Sequence, residues 1–150
     1  MTNETSFSDD EAAILRLLKD REAAIRNGDA RAALAPLSDD VVVYDLPPPL
    51  TYEGAEARDA AALEDWFRTW DGPVTTQTTD PRIFIDGDLA VALGLTRLQG
   101  EKKGEGPQDV WLRSTAVLRR EATGWRIFHQ HQSFPMMMDG SQKAATDLKP

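Results

Sequence analysis

From Val74 to Phe134 the chain is a succession of strand-like segments, and one of them is apolar on both faces. Along Leu89–Leu98, the small residues Ala90, Ala92, Gly94 and Thr96 alternate with Leu89, Val91, Leu93 and Leu95. Alternate residues point to opposite faces of a strand. A strand with two apolar faces has to be covered on both. Helices of the same chain can cover one face and a second copy of the chain the other, so a homodimer is expected. The flanking segments agree. Ile83–Ile85, the turn Asp86-Gly87-Asp88 and Leu89–Leu98 read as a hairpin. Trp111–Arg120 and Trp125–Phe134 read as two strands joined by a turn at Glu121–Gly124. Val74–Thr79 is Thr-rich, and Gly100–Pro107 reads as a charged, glycine-rich loop.

The first half supplies the helices. Ser8 and Glu11 form a capping-box pattern that predicts a helix from about Asp9. Ile14, Leu18 and Ile25 make one apolar stripe, and Arg21 falls on that stripe. Gly28 is a helix stop, and Asp29 caps a second short helix through Leu34. Val41–Tyr44 is a strand, Pro47–Pro49 a turn or edge, and Leu50–Tyr52 a short returning strand. Ala55–Trp70 predicts a helix with Leu63, Phe67 and Trp70 on one face. Helices before and within an antiparallel sheet indicate an α+β fold. A curved sheet wrapped around N-terminal helices leaves a concave face able to hold a small-molecule ligand. One domain is expected over residues 1–138, with a polar tail over 139–150 that frays.

Composition removes whole classes of function. The chain has 150 residues, no cysteine and a formal net charge of −8. Thiolate metal sites, disulfides and cysteine nucleophiles are excluded. The acidic balance argues against nucleic acid and against an anionic membrane surface. No apolar run is long enough to span a bilayer, and the N-terminus lacks the cationic start and apolar core of a secretory signal, so a cytoplasmic protein is expected. Glu101–Gly106 lacks the strand–helix context of a phosphate loop. No metal or organic cofactor is implied.

Two segments carry a resemblance. Gly28-Asp29 through Leu37-Ser-Asp-Asp-Val-Val-Val-Tyr-Asp45 resembles the opening of the ketosteroid isomerase and NTF2-like superfamily. Arg113–Arg120 followed by Gly124-Trp-Arg-Ile-Phe-His-Gln-His-Gln-Ser133 resembles its SnoaL-like branch. The second segment is also similar to the association domain of calcium/calmodulin-dependent kinase II. The resemblance implies an NTF2-like cone. The superfamily includes isomerases, cyclases, dehydratases and non-catalytic assembly modules, so fold alone does not assign an activity. Two readings follow: a SnoaL-like protein that binds a small apolar molecule and moves a proton, or a non-catalytic oligomerisation or ligand-binding module.

The resemblance places the proton-abstracting carboxylate of the isomerases at Asp45. Beside an apolar turn that carboxylate would be partly desolvated, which raises its pKa and suits a general base. The alternative is a cap on the Pro-rich turn. The family's oxyanion donors, a Tyr and a protonated Asp, fall at Arg21 and close to Ala116, so steroid isomerisation itself is not expected. Arg21 can point into the cone and bind a substrate oxygen, pair with Asp45, or sit at the surface. The family's strand phase puts Phe128, Gln130 and Gln132 on the pocket side, with Leu112, Ser114 and Ala116 beside them, and the histidines on the convex side. Plain alternation groups Trp125, Ile127, His129, His131 and Ser133 on one side. Thr96 joins the small face of its strand. Trp66 and Trp70, at i and i+4, form a pocket wall or core packing. Tyr44 should face away from Asp45, and Met136–Met138 either close the mouth or begin the tail.

Overall fold

The computed structural model describes residues 4–150; the absence of a secretory start at Met1–Asn3 lies outside the described residues. Helix α1 covers Glu4–Arg26. It already runs through Ser8, so the expected capping box does not mark its start. Its end is as expected. Gly28 takes φ +68, its N–H donates to Ile25 O, and Asp29 N–H donates to Ala24 O. Asp29 then caps α2 (Ala30–Leu34), its carboxylate accepting from Ala32 N–H at 3.1 Å. Helix α3 is Ala60–Arg68, shorter than expected, because Asp59 caps it through Ala62 N–H. Residues 54–58 form turns instead.

Seven strands make one sheet: β1 (Leu37–Tyr44), β2 (Tyr52–Glu53), β3 (Thr75–Thr78), β4 (Arg82–Asp86), β5 (Leu89–Lys102), β6 (Gly106–Glu121) and β7 (Gly124–Ser133). Their order is β2-β1-β7-β6-β5-β3, with β4 also paired to β5. All pairings are antiparallel except β1 with β7, which is parallel. Strands β5 and β6 pair from Leu89↔Arg119 to Lys102↔Gly106, so the loop expected over Gly100–Pro107 shrinks to a tight turn.

The concave face of this curved sheet packs against α1. Ile14, Leu37, Val41, Val43, Ala90, Ala92, Leu118, Trp125 and Ile127 form the buried core, with Leu17, Leu18, Ile83 and Ile85 packed onto it. Two clusters tie the helices to the sheet. Arg120 donates to Asp10 from both Nη atoms and stacks over Trp125, whose indole N–H also donates to Asp10. Glu22 accepts from Thr78 N–H at 2.9 Å, joining α1 to β3. The chain beyond Asp139, expected to fray, turns back on itself. Met137 N–H donates to Lys143 O, Ala145 N–H donates to Pro135 O, and Ala145 is buried.

Candidate functional site

Register settles which side chains share the concave face. Leu118 lies opposite Ile127, but the next pair is Val117 opposite His129. Phe128 is therefore the extra residue of a β-bulge, which resets the alternation of β7. Before it, Trp125 and Ile127 face the core. After it, Gln130 and Gln132 face inward while His129 and His131 face out. This corrects two expectations. Trp125 and Ile127 do not share a side with the histidines. Phe128 does not line the concave face either: its ring lies 5.2 Å from the Arg119 guanidinium, on the outer side. Tyr44 is also outward, packed edge-on against His129 and His131. His129 Nδ1 is 2.8 Å from Val42 O, which holds the bulged strand against β1. The same outer face exposes Phe84, Leu89 and Leu95.

Inside, the odd arginine of α1 is the centre of the site. Arg21 Nε donates to Ala33 O at 3.0 Å and so caps a carbonyl at the end of α2. Nη1 donates to Gln130 Oε1 at 2.6 Å. Among the described residues Nη2 has no hydrogen-bond partner. Among the described residues no carboxylate pairs with this cation, so the expected alternative of an Arg21–Asp45 bridge does not form. Burial pulls the guanidinium down to about 10, and the negative charge of Asp45 offsets part of that pull.

Asp45 follows the last residue of β1 and is exposed, so the desolvation expected of it is absent. Its Oδ1 accepts from Leu46 N–H at 2.8 Å, which caps the Pro-rich turn as the alternative reading allowed. Among the described residues the second carboxylate oxygen has no hydrogen-bond partner. Asp45 and Gln132 line a cleft of about 910 Å³ at the sheet's edge, between the Pro47–Thr51 turn and the end of β7, whose wall also takes in the outward Tyr44 and His131. A separate cleft of about 590 Å³ lies on the outer face, between Leu95 and Trp111, and takes in Arg113, Ser114 and Pro150.

A row of hydroxyls crosses the concave face one step nearer the open end than Gln130. Thr78 Oγ1 and Thr96 Oγ1 are 2.6 Å apart, and Thr96 Oγ1 and Ser114 Oγ 2.7 Å apart. Ser114 lies opposite Gln132 in the sheet. Thr96 is buried and bonded on both sides. Thr78 was not singled out by sequence, although it belongs to the Thr-rich segment. Its methyl leans over Gly94, where a Cβ would come within 2.7 Å of it. The tryptophans play a packing role. Trp70 is buried on Gly100 beneath the Lys102 ammonium, and Trp66 packs edge-on against it. Among the described residues, no group of three His, Asp or Glu side chains is placed to hold a metal ion. No described helix is long and apolar enough to cross a membrane.

With this geometry established, likeness to other proteins is informative. No curated protein matches the sequence. An NTF2-like protein of unknown function from Pseudomonas putida KT2440 is 29% identical, with a TM-score of 0.82 over 97% of this chain and 99% of that one. A nuclear transport factor 2-like superfamily protein from Salmonella enterica serovar Typhimurium is 19% identical, with a TM-score of 0.76 over 92% and 99%. A ketosteroid isomerase-like protein from Erwinia carotovora atroseptica is 21% identical, with a TM-score of 0.65 over 81% and 93%. These last two show the shared fold. The model of the SnoaL-like domain matches residues 14–137, and the chain therefore belongs to the SnoaL-like, NTF2-like family.

Proposed function

We propose that the protein binds a small organic molecule with a carbonyl oxygen at the open end of its cone and moves a proton at the neighbouring carbon. The observation that carries this reading is the state of Arg21. It is a partly buried cation whose hydrogen-bonded partners among the described residues are both neutral, Ala33 O and Gln130 Oε1, with no described partner on Nη2. Burying a cation with no carboxylate in direct contact is costly even with the Asp45 charge nearby, and an incoming oxygen that bears or develops negative charge offsets that cost. The resemblance to the isomerases puts Arg21 where that family carries an oxyanion donor.

Asp45 supplies the other half. Its carboxylate takes the proton from the carbon beside the carbonyl, and the C–H electron pair moves into an enolate whose oxygen rests on Arg21. The resulting carboxyl then returns the proton to carbon. The cleft beside the Pro-rich turn gives an apolar approach to Asp45. The probe is 1-tetralone, a bicyclic ketone, followed by NMR for exchange of its C2 hydrogens with deuterium in D₂O. The wild type is expected to exceed the buffer rate, and Asp45→Asn to lose about 100-fold of that excess. Exchange no faster than buffer, or an unchanged rate in Asp45→Asn, overturns the proposal.

A further inference from the structure

The cleft of about 590 Å³ on the outer face has no part in the carbonyl site, and two arginines border it without an ion-pair partner. Five other arginines of this acidic chain, Arg58, Arg68, Arg97, Arg119 and Arg120, each reach a carboxylate. Among the described residues Arg82 and Arg113 reach none, not even Asp80, which lines the same cleft. Arg113 Nε donates to Ser133 Oγ at 3.2 Å, and its Nη atoms have no described partner. Register sets both arginines on the outer face. Arg82 lies opposite Leu93 on one side of β5, and Arg113 lies opposite Leu95 on the other. Ordinary strand spacings put their backbones about 12 Å apart, a gap that two extended arginine side chains close from opposite sides. The floor between them is Leu93 and Leu95, and Leu95 is exposed. Trp111 makes the far wall. It lies opposite Arg97, whose guanidinium sits 5.8 Å from the indole ring and is itself held by two hydrogen bonds to Asp109.

We infer that this cleft is a second binding site, for a flat aromatic acid. The ring of the acid lies on Leu95 against Trp111, and its carboxylate sits over Leu93 between Arg113 and Arg82. The planar guanidinium fork matches a carboxylate, and the indole gives a flat ring a face to stack on. Asp80 offsets one of the two cations, which suits a singly charged carboxylate better than a doubly charged phosphate. The volume is in the range of clefts that take small organic ligands. The site is separate from Arg21 and Asp45 and does not depend on the carbonyl-binding reading.

The test compares 2-naphthoate with 2-naphthalenemethanol, which has the same rings and no charge. Binding at low salt is read by NMR from the indole N–H of Trp111, a signal assigned by its loss in Trp111→Phe. The wild type is expected to bind the acid about tenfold more tightly than the alcohol, and raising the salt should shrink that preference. Both arginines are exposed, so their replacement removes no buried packing. Arg82→Gln and Arg113→Gln should each weaken binding of the acid about threefold, and the double variant should bind the two probes alike. Arg21→Met should leave the affinity for the acid unchanged. Binding of neither probe, equal binding of both by the wild type, or a preference that survives the double variant overturns the outer site. Loss of the acid in Arg21→Met overturns it as well, by placing the acid at the inner cation. None of these results touches the carbonyl reading, which is tested by hydrogen exchange in 1-tetralone.

Discussion

The two ends of the concave face are built from the same strands, yet they differ in kind. At the closed end, Ala90, Leu118, Ile127 and Val41 are buried and packed on Ile14 of α1, with no polar side chain among them. Further along the same strands, past Ala92 and Ala116, the inward positions include Thr96, Ser114, Gln130 and Gln132, with Leu112 the apolar residue opposite Thr96. The bulge at Phe128 marks the boundary on β7. Apolar burial at one end supplies the stability that allows polar groups and a lone cation at the other. Stability and function are thus separated by position along the strand.

Substitutions at the two ends should separate them in measurement as well. The largest effect is expected at the closed end. Leu118 is fully buried, and Leu118→Ala should cost about 3 kcal/mol in urea unfolding, from lost burial and the cavity left behind. A cost under about 1 kcal/mol would mean that the closed end does not carry the fold.

A smaller effect belongs to the clasp between α1 and the sheet. The Arg120 guanidinium holds the Asp10 carboxyl below its ordinary range, ahead of the desolvation that pushes it up. A carboxyl lowered by folding contributes stability above its unfolded pKa and loses it as pH falls through the folded one. At neutral pH, Asp10→Asn should cost about 1 kcal/mol, given that Arg120 is partly exposed. Unfolding curves of wild type and variant should converge as the pH falls through the lowered folded-state range of the Asp10 carboxyl. A gap that persists there would assign the clasp to packing rather than charge.

Much of this division is legible in the sequence, and its failures have physical causes. The two-faced apolar pattern of Leu89–Leu98, the Gly28-Asp29 stop and cap, and the hairpin at Gly87 all depend on local chemistry, and they appear where expected. Arg21 stands out because a charge on an apolar stripe contradicts its surroundings. The face of Phe128 is misread because alternation assumes a regular pleat. The bulge is set by pairing β7 to β1 and β6 at once, which no local pattern encodes. Helix α3 starts late because Asp59 offers a cap inside a run of good helix formers. The hydroxyl row depends on register across three strands, so only Thr96 and Ser114 of its members were visible beforehand.

The account's central claim is that a buried cation with no carboxylate in hydrogen-bond contact, at the open end, exists to hold a ligand oxygen. Calorimetric titration of 1-tetralone into wild type and Arg21→Met, with thermal unfolding of both, tests it directly. Relief of the buried charge should offset the two hydrogen bonds lost to Ala33 and Gln130, so the melting temperature should stay within a few degrees. Binding should be lost by at least about tenfold. A variant that unfolds far below wild type while still binding the ketone as tightly would show that Arg21 is there for the fold, and would contradict the claim.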